Sequence, residues 1–101
     1  PAGTVGVFAF DTEKHKLVGF ARVFSDEIFT TYISEVCVSP ACQGNGIGTN
    51  LVQAICQRFL HTAIFVESFE SSISIFNRNH IIPKGKLVAC GRAPSINDLK
   101  L

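Results

Sequence analysis

The chain of 101 residues carries a formal net charge of +1, with 47% hydrophobic and 17% charged residues and neither tryptophan nor methionine. That length predicts one domain, residues 1–101, able to bury roughly two thirds of its unfolded surface without disulfide or metal staples. The balanced charge and the lack of like-charged runs exclude an electrostatic nucleic-acid binder or a polybasic membrane segment, and no stretch approaches the roughly 20 apolar residues of a membrane helix.

In chain order, Thr4–Phe10 is β-rich and apolar at nearly every position, and Asp11–Lys14 then forms a polar turn. Leu17–Phe24 answers as a hairpin partner ending at Ser25-Asp26-Glu27. A third strand, Thr30–Val38, stops at Ser39-Pro40 because proline cannot continue a ladder. Three antiparallel strands are therefore expected to open the chain. Period-2 alternation places Glu35 on one face with Ile33 and Cys37, and Tyr32 and Ser34 on the other with Val36 and Val38.

After glycines at 44, 46 and 48, apolar residues fall at Leu51, Val52, Ile55, Cys56, Phe59 and Leu60. That spacing predicts a helix from Thr49 to about His61, with Arg58 near the end where a cation suits the dipole. Ala63–Phe69 reads as a buried strand, which a helical crossover would set parallel to Thr30–Val38. Ile73, Ile75 and Phe76 suggest a short helix ending near Asn79-His80, and Pro83 and Gly85 break the chain before a last strand, Lys86–Cys90. The fold class is α+β, a mixed sheet flanked by helices.

Cys37, Cys42, Cys56 and Cys90 form no C-x-x-C pair and no zinc-type set with His15, His61 and His80, so no metal site is expected. The cysteines read as reduced, which with the absence of a signal peptide points to a soluble cytoplasmic protein. The start at Pro1 without an initiator methionine points to a processed, tagged or partial chain.

The stretch that bears on chemistry is Val36-Cys-Val-Ser-Pro-Ala-Cys-Gln-Gly-Asn-Gly-Ile-Gly-Thr-Asn-Leu-Val52, a strand, a glycine-rich loop and a helix start. Glycines let backbone N–H groups approach an anion closely, and the helix end adds its positive dipole. A tight turn would use the same glycines. A dinucleotide fingerprint, G-x-G-x-x-G, fails because the third glycine falls one position early. A nucleotide P-loop fails because no lysine lies between Lys16 and Lys84.

The stretch resembles the signature of the GNAT superfamily of N-acetyltransferases, Q/R-x-x-G-x-G/A, in Gln43-Gly44-Asn45-Gly46-Ile47-Gly48. Leu17-Val-Gly-Phe-Ala-Arg-Val, Val38-Ser-Pro and Leu51-Val52 extend the match, which runs from about Val5 to Phe69 and is closest to small cyanobacterial and plastid proteins of that family. The resemblance implies the acyl-CoA N-acyltransferase fold without its N-terminal strand and helices, and acetyl transfer from acetyl-coenzyme A to a primary amine. It gives Gln43, Gly44, Asn45, Gly46, Ile47, Gly48 and Thr49 to the coenzyme's pyrophosphate, and Val36, Cys37 and Val38, on a strand that bulges and splays from its parallel neighbour, to the pantetheine arm. Glu35 is the candidate general base, being the one acidic residue on its strand.

Relatives carry a tyrosine acid in F-Y-x-x-x-G-F. Here Phe76 stands at the tyrosine and His80 at the glycine, and Phe69 stands where relatives often have an asparagine. The alternative is therefore a coenzyme A-binding module with weak or no turnover. The acceptor amine is left open, and the apolar Thr4–Phe10 strand, asking for cover on both faces, predicts a homodimer or a chain that lacks its N-terminal part.

Overall fold

The computed structural model describes residues 3–86 and 90–93. Four strands form one sheet in the order β1-β2-β3-β4: β1 (Thr4–Asp11), β2 (Lys16–Ser25), β3 (Thr30–Val38) and β4 (Ala63–Val66). The first two pairings are antiparallel and β3–β4 is parallel, joined by the crossover helix α1 (Ile47–Arg58). A five-residue helix, α2 (Ile73–Asn77), follows. This is the mixed sheet with flanking helices that the sequence predicts, although the proposed strand Lys86–Cys90 lies largely outside the described residues.

Both turns are closed by aspartate. Asp11 Oδ1 accepts the amides of Glu13 and Lys14 at 3.0 and 3.2 Å. Asp26 Oδ1 accepts those of Ile28, Phe29 and Thr30 at 2.8–3.0 Å, and these bonds, led by Thr30, hold its carboxyl below the usual carboxylate range.

One face of the sheet is covered. Ala21 and Val23 of β2 and Ile33 of β3 pack under Leu51, Val52, Ile55 and Phe59 of α1, with Phe76 of α2 closing the layer. The spacing of those α1 residues makes a single apolar stripe, so burying it on the sheet fixes the helix's rotation. At one end of the core Thr31, fully buried, shares hydroxyl bonds with Ser25 at 2.8 Å and Thr62 at 2.7 Å, tying β2, β3 and the start of β4 together.

The opposite face is uncovered. It presents Phe8 and Phe10 of β1, Leu17 and Phe24 of β2, Tyr32 of β3 and Phe65 of β4, all exposed, around an ion pair in which Arg22 Nη2 lies 3.3 Å from Glu35 Oε1.

The register of β3 corrects the alternation expected from sequence. Arg22 pairs with Glu35 but Val23 pairs with Ile33, so Ser34 is an extra residue, a β-bulge. The bulge reverses the facing beyond it. Ile33, Val36 and Val38 share the covered face, while Tyr32, Glu35 and Cys37 share the open one, so Glu35 does not lie beside Ile33. Three boundaries also move. The helix begins at Ile47 rather than Thr49 and ends at Arg58 rather than His61, and β4 stops at Val66, leaving Phe69 exposed outside the sheet.

Candidate functional site

The bulge also decides where the sheet opens. β3 pairs with β4 only over Thr30–Ile33 and Ala63–Val66. From Ser34 onward the β4-facing edge of β3 has no strand partner among the described residues, and the two strands diverge into a cleft of about 620 Å³. That volume lies in the range of small-molecule and cofactor sites.

One wall is β3 itself, through Ile33, Ser34, Glu35, Val36 and Val38. The facing wall is Val66, Glu67, Ser68 and Phe69. The end remote from the strand pairing is the glycine-rich loop and the first turn of α1, and α2 with the residue that caps it supplies Ile75, Phe76 and Arg78 as the remaining side.

The loop is shaped residue by residue. Pro40–Cys42 forms one 3-10 turn, and Gln43 Nε2 donates to the Val38 carbonyl at 3.2 Å, which pins the loop to the end of β3. Gly44 and Gly46 have φ of +87° and +81°, a region that L side chains rarely occupy, and Gly46 is the N-cap of α1. Gly48 has a different task. A Cβ there would come within 3.1 Å of Ile75 Cδ1, so the glycine lets α2 seat on the first turn of α1. Asn79 fastens the same junction by donating to the carbonyls of Thr49 and Ile75, both at 3.1 Å.

The N-terminus of α1 carries no side-chain cap and no acidic residue in its first turn. Its leading N–H groups lack intrahelical acceptors and carry the positive end of the helix dipole into the cleft. An anion seated there meets oriented backbone donors.

Of the residues singled out from sequence, Glu35, Val36, Val38, Gln43, Gly44, Gly46, Ile47, Gly48 and Thr49 line this one cleft. Cys37 and Asn45 are not in its wall, and Cys37 is exposed on the open face of the sheet. Glu35 belongs to the wall, yet its side chain, 39% exposed, is held against Arg22. Phe76 lies in the wall and in the core, 5% exposed, and the chain's single tyrosine, Tyr32, is absent from the wall. Sequence reasoning did not single out Cys42, Glu67, Ser68, Ser71, Ser72 or Arg78 for the cleft, although all line it. For Arg78 a signal existed, a cation directly after the short α-helix that follows the parallel strand.

Among the described residues no group of His, Cys, Asp and Glu is placed to hold a metal ion, and Cys37, Cys42 and Cys56 are free thiols. Burial pushes the Cys56 thiol up. No described helix is long and apolar enough to cross a membrane.

The model of the acetyltransferase (GNAT) family matches residues 1–80. The chain is 33% identical over 70 residues to GCN5-related N-acetyltransferase 2, chloroplastic, of Arabidopsis thaliana, an alignment covering 69% of this chain and 25% of that protein. It therefore spans about a quarter of that relative's length. Among solved structures, protein SA2161 of meticillin-resistant Staphylococcus aureus, described as a probable acetyltransferase, superposes with a TM-score of 0.77 at 16% identity, over 89% of this chain and 70% of that one. An aminoglycoside 6'-N-acetyltransferase complexed with coenzyme A superposes with a TM-score of 0.57 at 23% identity, over 64% and 37% of the two chains. These likenesses give the fold.

Proposed function

The chain belongs to the acetyltransferase (GNAT) family, and from that premise we propose that it is an N-acyltransferase moving the acetyl group of acetyl-coenzyme A to a primary amine. The observation that carries the reading is the uncapped, acid-free N-terminus of α1 behind Gly44 and Gly46, at the far end of a cleft formed by two diverging parallel strands. An elongated ligand with a diphosphate at one end fits that arrangement, and the coenzyme complex of the aminoglycoside acetyltransferase agrees with it.

The residues divide the work by position. Backbone amides from Gly44 to Thr49 would hold the diphosphate, with Gln43 keeping the loop in place. The unpaired edge of β3 at Val36, Cys37 and Val38 offers main-chain groups to an extended arm, as an edge strand offers them to another strand. A free amide on that edge, aimed at the thioester oxygen, stabilises the negative charge that develops there. The bound donor supplies an acyl group on a sulfur that leaves readily. Glu35, oriented by Arg22, takes the proton that the attacking ammonium must lose. The N–C bond forms, the C–S bond breaks, and the thiolate is left to take a proton.

The second reading, a coenzyme A-binding module without turnover, rests on Phe76, whose ring offers no proton to that thiolate, and on the absence of tyrosine from the wall. Incubation with acetyl-coenzyme A and a panel of amines, following free thiol, separates the two. Amine-dependent thiol release supports the transferase. Thermal stabilisation by acetyl-coenzyme A without release supports the binding module, and the absence of any binding overturns both.

A second copy of the chain is the occupant that fits the open sheet face, because the apolar rim surrounds one neutral Arg22–Glu35 pair that is complementary to itself under a two-fold axis. The exposed rings and Leu17 offer on the order of 600 Å² per copy, near the scale of a standard interface. The unoxidised thiols of Cys37, Cys42 and Cys56 suit the reducing cytoplasm.

A further inference from the structure

One side chain grips both residues of the β3 bulge. Arg22 Nε donates to Ser34 Oγ at 3.2 Å and Arg22 Nη2 lies 3.3 Å from Glu35 Oε1, while the Ser34 hydroxyl donates back to the Arg22 carbonyl at 3.0 Å. In a regular strand residues 34 and 35 would face opposite sides of the sheet, and one partner could not reach both. The bulge sets them opposite Arg22 together, and a guanidinium, with its donors in a fixed planar fork, matches two acceptors so placed. The ring of Phe24, two residues along β2, has its centroid 5.9 Å from Arg22 Cζ and supports the fork on the open face.

The bulge is also where β3 leaves β4. Pairing with β4 stops at Ile33, and Ser34 and Glu35 are the first two wall residues of the cleft beyond it. Arg22 itself is not among the described residues of that wall. Its pair with Glu35 is open to solvent, the side chains being 51% and 39% exposed, and an ion pair so placed adds little to folding stability. What it adds is a fixed relation between the edge of β3 and the carboxylate.

We propose that Arg22 is a positioning residue with two separable effects: through Ser34 it holds the free edge of β3 at the splay on which the cleft opens, and through Glu35 it holds the base. The role rests on the acyltransferase reading of the cleft. The first effect belongs to donor binding and the second to the chemical step, so the two come apart in kinetics.

The test is steady-state kinetics of amine-dependent thiol release, with melting temperatures, for wild type, Arg22→Ala, Arg22→Lys, Ser34→Ala, Glu35→Gln and the double variant of Arg22→Ala with Glu35→Gln. Arg22→Ala is expected to lower kcat about tenfold and to raise KM for acetyl-coenzyme A about threefold to fivefold. Ser34→Ala raises KM by a similar factor with little change in kcat. Arg22→Lys, a point charge without the fork, recovers most of kcat and leaves KM high. In the Glu35→Gln background Arg22→Ala lowers kcat no further, because its effect on the chemical step runs through the carboxylate. Melting temperatures stay near that of the wild type. Wild-type kinetics in Arg22→Ala, a further kcat loss of the same size in the Glu35→Gln background, or a loss of activity that follows a lowered melting temperature overturns the positioning role while the acyltransferase reading stands. An unchanged KM in Ser34→Ala overturns its edge-holding half. Absence of thiol release in the wild type overturns the acyltransferase reading and with it the effect through Glu35. The edge-holding effect is then decided by calorimetric affinity for coenzyme A, expected to fall in Arg22→Ala and Ser34→Ala alike.

Discussion

His80 occupies the left-handed region with φ of +63° and is exposed. It stands where the resembling segment of the acetyltransferases has a glycine, the residue that takes up this conformation without steric cost. Relief of the side-chain clash is worth about 1 kcal/mol, part of it offset by the greater freedom of unfolded glycine. His80→Gly is therefore expected to raise stability by about 0.5 kcal/mol and His80→Val to lower it, as read by urea unfolding. Glu35 gives a second expectation at this scale. If it takes the amine proton, Glu35→Gln lowers kcat by about a hundredfold or more while leaving the affinity for coenzyme A unchanged, because the carboxylate is held against Arg22 of β2. An equal fall in coenzyme affinity would instead make Glu35 a structural partner of Arg22. The turn carboxylate Asp26 supplies a pH signature. Its folded pKa is depressed by the amides of Thr30, Ile28 and Phe29, so its contribution is present above the unfolded carboxylate value and is lost as pH falls through the folded one. The stability gap between wild type and Asp26→Asn should narrow on acidification, and a gap that widens would contradict the assignment.

At the scale of elements, the hydroxyl chain at the end of the sheet can be weighed by counting what survives a substitution. In Thr31→Val the hydroxyl of Ser25 keeps the Thr30 carbonyl and the Glu27 amide, and that of Thr62 keeps the Phe59 carbonyl. Neither partner is orphaned. The expected cost is therefore about 1 kcal/mol rather than the roughly 3 kcal/mol of a buried group left unbonded, measured as a shift in denaturant midpoint. The elements themselves were largely readable from residues. Aspartate turns, β-branched runs and one apolar stripe announce three strands and a helix, and the glycine spacing announces the loop between them. The bulge at Ser34 was not readable at its position, because Ser-Glu-Val-Cys-Val contains no glycine or proline to mark it. It is set by pairing with β2, and alternation read without it puts Glu35 on the wrong face. The length of β4 was misread for a related reason. The apolar run continues to Phe69, but the strand ends at Val66 because β3 has already turned away. Arg78 carries no mark in the sequence, since a lone cation after a short helix acquires meaning only once Asn79 and Gly48 bring that helix to the loop.

For the whole molecule, the two faces of the sheet make opposite demands. The covered face has its helices. The open one leaves Phe8, Phe10, Phe24 and Phe65 in contact with water, more apolar surface than a soluble monomer normally displays in one patch. Light scattering should therefore report a dimer at micromolar concentration, and Phe8→Ser with Phe65→Ser should shift it to monomer while the coenzyme cleft, which contains neither residue, keeps its affinity. A wild-type monomer at high concentration would count against self-association through this face.

The short pairing between β3 and β4 has a dynamic consequence. Only Thr30–Ile33 and Ala63–Val66 face one another, whereas β1 and β2 are matched along their whole lengths. Amide exchange should accordingly be slowest in β2, which is flanked on both sides, and faster along the free edge of β3 beyond the bulge and in β4. A ligand arm lying along that free edge would act as a stand-in strand. Protection on binding would then concentrate in residues 34–38 and 66–69, with little change in the outer hairpin, so that occupancy of the cleft is recorded as a local stiffening of the sheet's splayed seam.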